Sequence, residues 1–146
     1  MKKAANFFSG EEKEQIVQAI KAAEVETSGE IRLHIEEKTE IPALERAIEI
    51  FRFLEMDKTA ARNGVLIYLS IENKSFAIFG DAGINDKVPT DFWDITKEIM
   101  VGQFSQKAYL QGLLDGINSI GVQLKTHFPF DENTDKNELP DDISFG

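Results

Sequence analysis

Val65-Leu66-Ile67-Tyr68-Leu69-Ser70-Ile71 is a nearly unbroken apolar run of seven residues, entered through Asn63-Gly64 and followed by Glu72-Asn73-Lys74. It is too short for a membrane span, and its β-branched and aromatic content suits a strand. Because successive side chains on a strand point to opposite faces, a run without polar alternation must be covered on both faces. A chain built on such a strand needs layers above and below its sheet. That requirement excludes a simple bundle or an open one-sided sheet.

The flanking patterns supply those layers. Ser9 with Glu12 three residues later reads as a capping box, and Ile16, Val17, Ile20 and Ala23 follow at helical spacing, so a helix is expected over roughly 10–24. Glu30-Ile31-Arg32-Leu33-His34-Ile35-Glu36 alternates with period two and reads as a half-buried strand. Pro42 begins a second helix carrying Leu44, Ala47, Ile48, Phe51 and Leu54, over about 42–55. Ser75-Phe76-Ala77-Ile78-Phe79 returns antiparallel to the apolar run through a short turn. Asp81 to Lys87 reads as a polar, glycine-containing loop. Helices are expected from Pro89 to about Gln103 and again from Ser105, the last holding Gly112, Gly116 and Gly121 where another element must approach closely. The fold class is therefore α/β: a three-layer α/β/α sandwich with a small mixed parallel and antiparallel sheet flanked by helices.

The 146 residues fit one domain. Its boundary is placed at 1–129, with 130–146 as an acidic, loosely attached tail, since Asp131 to Gly146 holds six acids and one lysine. Within that tail Leu139, Ile143 and Phe145 can dock. Sixteen Lys and Arg against twenty-six Asp and Glu give a net charge of −10, which repels nucleic acid and anionic membranes and attracts cations. With no cysteine, a short N-terminal apolar stretch ending at Phe8 and no membrane-spanning run, the expectation is a cytoplasmic chain without signal segment or membrane anchor.

Strand, helix, strand order makes the first two strands parallel neighbours, and the antiparallel third strand returns to the same edge. Ser28-Gly29-Glu30, Arg62-Asn63-Gly64 and Gly80-Asp81 then meet at one rim. A calcium or magnesium ion needs six or more oxygen ligands, and Asp81, Asn85, Asp86 and Glu30 are candidate donors there. Asp81-x-Gly83-x-Asn85-Asp86 does not follow the EF-hand spacing, and the same polar residues also suit strand ends and a turn. His34 lacks a second histidine nearby and reads as a partly buried, hydrogen-bonded residue; Phe92 and Trp93 read as core.

Thr27-Ser28-Gly29-Glu30-Ile31, Arg62-Asn63-Gly64-Val65-Leu66-Ile67 and Gly80-Asp81-Ala82-Gly83-Ile84, with Phe92-Trp93, Phe104 and Gly112-Leu113-Leu114-Asp115-Gly116-Ile117, resemble the TPM domain family from about Phe7 to Phe128. The resemblance carries Glu30, Asn63, Gly64, Gly80 and Gly83 over as pattern positions. It departs from the family at Arg62, where an acid is common, and at Asn85, where a glutamate is common, with Asp81 or Asp86 as the compensating acid. The rim residues taken with the resemblance give the expectation of a Ca2+ or Mg2+ binding module with metal ligands Asp81, Asp86, Asn85, Glu30 and Asn63, serving assembly or repair of a larger complex. Its expected role is non-enzymatic and accessory, with the ion and a protein as partners. Two alternatives stay open: a weak metal-dependent acid phosphatase, and an interaction domain without a metal. No Asp-x-Asp pair, cysteine loop or phosphate-binding glycine loop supports covalent phosphate chemistry.

Overall fold

The computed structural model describes residues 3–129 and 139–146. A short helix α1 (Lys3–Asn6) precedes α2 (Gly10–Glu24), β1 (Glu30–Glu36), α3 (Ala43–Phe53), a 3-10 turn at Met56–Lys58, β2 (Gly64–Ser70) and β3 (Ser75–Gly80). A one-turn helix α4 (Ala82–Asn85), α5 (Asp94–Phe104), α6 (Tyr109–His127) and a short β4 (Ser144–Phe145) follow. The sheet has the order β3-β2-β1-β4, with β1 parallel to both β2 and β4, and β3 antiparallel to β2. This is the mixed α/β sandwich expected from the apolar run.

β2 divides its side chains between two cores. Val65, Ile67 and Leu69 join Ile16 and Ile20 of α2 and Leu113, Ile117, Ile120 and Leu124 of α6 on one face. Leu66 and Tyr68 join Ala47, Ile50 and Phe51 of α3 on the other. Each fully buried Leu or Ile contributes about 1.5–3 kcal/mol, so a polar residue along β2 would damage one core or the other. Ser9 caps α2 as its spacing predicts: its Oγ accepts from the Glu12 N–H at 3.1 Å, and Glu12 Oε1 accepts from the Ser9 N–H at 2.9 Å.

The glycines of α6 mark its close approaches. A Cβ on Gly116 would stand 2.6 Å from the Met100 sulfur of α5, and one on Gly121 would stand 2.8 Å from Ala23 of α2. α6 therefore serves as the spine against which both neighbours pack.

Four elements differ from the sequence expectation. Pro89 to Trp93 is spent in turns, with the Phe92 N–H on Pro89 O and the Asp94 N–H on Asp91 O, so α5 begins at Asp94. Lys107 takes a left-handed conformation, φ 63°, which ends the preceding helix and delays α6 to Tyr109. Asp81 to Lys87 is not an open loop: Asp81 caps the helical turn α4. β1 is covered on both faces, with Glu30, His34 and Glu36 all buried. Its polar side is partly matched, with Arg32 Nε and His34 Nε2 buried without a hydrogen-bond partner among the described residues. Arg46 of α3 grips Glu36 through Nε and Nη2, the Tyr68 hydroxyl also donates to Glu36, and His34 Nδ1 lies 2.9 Å from Ser144 Oγ.

Of the segment expected as a loose tail, residues 130–138 lie outside the described residues. Residues 139–146 are held: Leu139 is buried against the smaller core, Ile143 and Phe145 pack on the larger one, and β4 pairs with His34 and Ile35.

Candidate functional site

The strand registers bring the three expected segments to one rim. Glu30 stands opposite Gly64, and its N–H donates to Asn63 O at 3.1 Å. Gly80 stands opposite Val65, and the Asp81 N–H donates to Gly64 O at 2.9 Å. Glu30, Asn63 and Asp81 thus share the edge where β1 and β2 begin and β3 ends.

Gly83 locks this rim together. Its N–H donates to Arg62 O at 2.9 Å, and a Cβ there would lie 2.2 Å from Ala61 O and 2.5 Å from Arg62 O. Only a glycine admits the two carbonyls at that range. The requirement is steric, because no glycine in the described residues has a positive φ.

The side chains at the rim are unequally committed. Asp81 is buried and receives Arg62 in a two-pronged pair, Nε to Oδ2 at 2.7 Å and Nη2 to Oδ1 at 2.8 Å, while Oδ1 also accepts from the Ala82 N–H. The guanidinium itself is half exposed. Glu30 Oε1 accepts from the Leu139 N–H at 2.7 Å. Asn63, 5% exposed, donates from Nδ2 to Ser28 O at 2.5 Å, yet its buried Oδ1 meets no donor among the described residues. Asn85 turns its amide to Gly80 O. Asp86, at the end of α4, is exposed, and no side-chain hydrogen bond or ion pair among the described residues ties it to the other four. Among the described residues no three His, Cys, Asp or Glu side chains stand close enough to share a metal ion, so any cation here would rely on neutral oxygens as well as carboxylates.

One acid that sequence reasoning missed lies beside Glu30. Glu24, at the end of α2, accepts from the Ile31 N–H at 2.8 Å on the open edge of β1. Burial, a hydrogen bond to Asp141 and repulsion from Asp141 and Glu30 raise its carboxyl to about 9, against the Ile31 N–H, which pulls the other way. Glu24 therefore holds a proton at neutral pH and uses it to tie the 139–146 segment down. Nothing in its sequence position marks it, since it is simply the last residue of an amphipathic helix. At the other end of β1, burial drives His34 down to about 4, against the opposing pull of Glu36; it is neutral and hydrogen-bonded to Ser144, and more deeply buried than its sequence pattern predicts. Trp93 is also buried, and touches the turn where a Gly80 Cβ would stand.

The TPM domain profile matches residues 1–123. The chain belongs to the TPM domain family. Among solved structures, this TPM domain is similar to the BA42 protein of the psychrophilic bacterium Bizionia argentinensis, at 48% identity and TM-score 0.90, with 96% of each chain covered. It shares its fold with the N-terminal domain of a P. gingivalis protein, at 17% identity and TM-score 0.70 over 85% of this chain and 80% of that one. The same holds for an N-terminal domain from Corynebacterium glutamicum, at 14% identity and TM-score 0.65 over 82% and 75%. No curated protein matches the chain. Among the described residues no helix is long and apolar enough to cross a membrane.

Proposed function

We propose that this TPM domain is a divalent-cation-binding module with a non-enzymatic, accessory role, and that Ca2+ or Mg2+ is held at the rim by Asn63, Glu30 and Asp81. The observation that carries the reading is the Asn63 carbonyl oxygen, buried and without a donor. A buried acceptor left unmatched costs about 1–3 kcal/mol, and a hard cation is one way to repay it. When bound, the ion would supply positive charge between carboxylates whose backbones the sheet already holds together.

Arg62 has a definite part in this reading. It stands where the family often has an acid, and its guanidinium already neutralises Asp81 as a tethered cation. A metal at Asp81 must displace it, which its half-exposed side chain permits. Affinity should therefore be weak, in the micromolar to millimolar range seen for sites with few charged ligands. Asn85 and Asp86 are outer contributors at most, because one is turned to Gly80 O and the other faces solvent.

Titration with Ca2+ and with Mg2+, followed by amide chemical shifts, tests the proposal. Shifts are expected at residues 28–31, 62–64 and 80–87, and Arg62→Ala should bind about tenfold more tightly, the equivalent of about 1.4 kcal/mol of lost competition. A flat titration in both proteins would remove the idea. Phosphomonoester turnover that vanishes in Asp81→Ala would favour the metal-dependent phosphatase instead, for which Arg62 is the available phosphate contact.

A further inference from the structure

At the end of the sheet opposite the rim, the β2–β3 turn and the α5–α6 link enclose a cleft of about 330 Å³. Its floor is Leu69, and its walls are Phe76, Phe104 and Tyr109. The rings form a continuous aromatic array, with Phe76 edge-on to Phe104 at 5.2 Å and Phe104 tilted against Tyr109 at 5.6 Å. All three are only partly buried.

Lys74 and Lys107 also line the cleft, one from each connection. Among the described residues neither ammonium has an ion-pair partner, although the chain carries a net charge of −10. Both lysines adopt left-handed backbone conformations, φ 53° and 63°. Lys107 ends α5, with its N–H on Phe104 O and the Ala108 N–H on Gln103 O, a position that glycine or asparagine fills at least cost. Lys74 occupies the corresponding strained position of the hairpin turn. A strained lysine at both places puts two unpaired cations beside one aromatic slot, and backbone strain of this kind gathers at ligand clamps.

We propose that this cleft binds a small aromatic carboxylate, the ring entering between Phe76, Phe104 and Tyr109 and the carboxylate meeting Lys74 and Lys107. The volume lies at the low end of ligand sites, which run from about 300 to 1,000 Å³, and suits a single ring system with a short acidic arm. Edge-to-face packing rewards an aromatic guest over an aliphatic one of the same area. The two ammonium groups select an anion from among such guests.

A titration with 3-phenylpropionate, read by amide chemical shifts, provides the test. Shifts should centre on residues 69–76 and 101–109, and 3-phenylpropanol, the neutral counterpart, should bind about fivefold more weakly. A Lys74→Gln, Lys107→Gln double variant changes only exposed side chains and should keep the native melting temperature while losing the preference for the acid. Equal affinity for acid and alcohol, persistence of the preference in the double variant, or the absence of shifts at this cleft would overturn the proposal. So would a peptide ending in phenylalanine that binds ten times more tightly than 3-phenylpropionate, since the occupant would then be a protein terminus.

Discussion

Gly83→Ala should destabilise the domain by about 3 kcal/mol or more, at the upper end of the range for overpacking. The added methyl would sit 2.2 Å from Ala61 O and 2.5 Å from Arg62 O, and both obstacles are main chain. No side chain can rotate away to relieve the contact. Relief requires moving the 61–63 segment, which carries the Gly83 N–H bond, the Asn63 contact to Ser28 O and the carbonyl that accepts from Glu30. The damage therefore extends to the cation site as well as to the fold. Gly102→Ala in α5 is the control, because nothing lies within 4 Å of its Cβ position and alanine suits an exposed helix better by up to about 1 kcal/mol. Urea unfolding of the two variants should separate them on opposite sides of the wild type. Equal midpoints would show that the 80–83 turn yields easily and that the rim is not clamped.

Glu24→Gln should change the pH profile of stability more than any other single substitution. Glu24 titrates near 9 in the folded domain and near 4.5 as a free side chain, so between those values the native state binds the extra proton. Its stabilising contribution is full below 4.5 and is lost as the pH rises toward 9. His34 acts in the opposite sense. Its folded value near 4 lies below the usual 6.5, so its contribution is present above 6.5 and is lost as the pH falls toward 4. Between 4.5 and 6.5 the two effects oppose each other, and from 6.5 to 9 the loss from Glu24 stands alone. Its limiting slope is about 1.4 kcal/mol per pH unit, lessened by the water that reaches a half-buried carboxyl. Glutamine can accept from the Ile31 N–H and donate to Asp141 without ionising. Melting temperatures at pH 5.5, 7 and 8.5 should therefore fall across the upper interval in the wild type and stay level in the variant. A wild type equally stable at pH 7 and 8.5 would contradict a proton held by Glu24.

How much of this could be read from residues alone depended on how local the cause was. The Ser9–Glu12 capping box, the β2–β3 hairpin and the two-faced burial of Val65 to Leu69 arise from neighbours in the chain, and their patterns were visible at once. The meeting of Glu30, Asn63 and Asp81 was also legible, because strand direction follows from element order. The state of their side chains was not. Arg62 reads as a departure from a family pattern, and only its two hydrogen bonds to Asp81 reveal a built-in counter-charge. The Glu24–Asp141 contact joins a helix end to a segment whose acidity argued for looseness, and no periodicity records a carboxyl that keeps its proton. Boundaries slipped where backbone conformation overrode composition, as at Lys107, whose left-handed turn displaced the start of α6.

β4 gives the domain an order of completion. His34 waits for Ser144, 110 positions later, before its outer neighbour in the sheet exists. At roughly 5–20 residues per second, a ribosome needs about 5–20 s to make that intervening stretch. Until then the outer flank of β1 at His34 and Ile35 has no neighbouring strand. The short strand at Ser144 and Phe145 thus covers an edge of β1 that no other described strand covers.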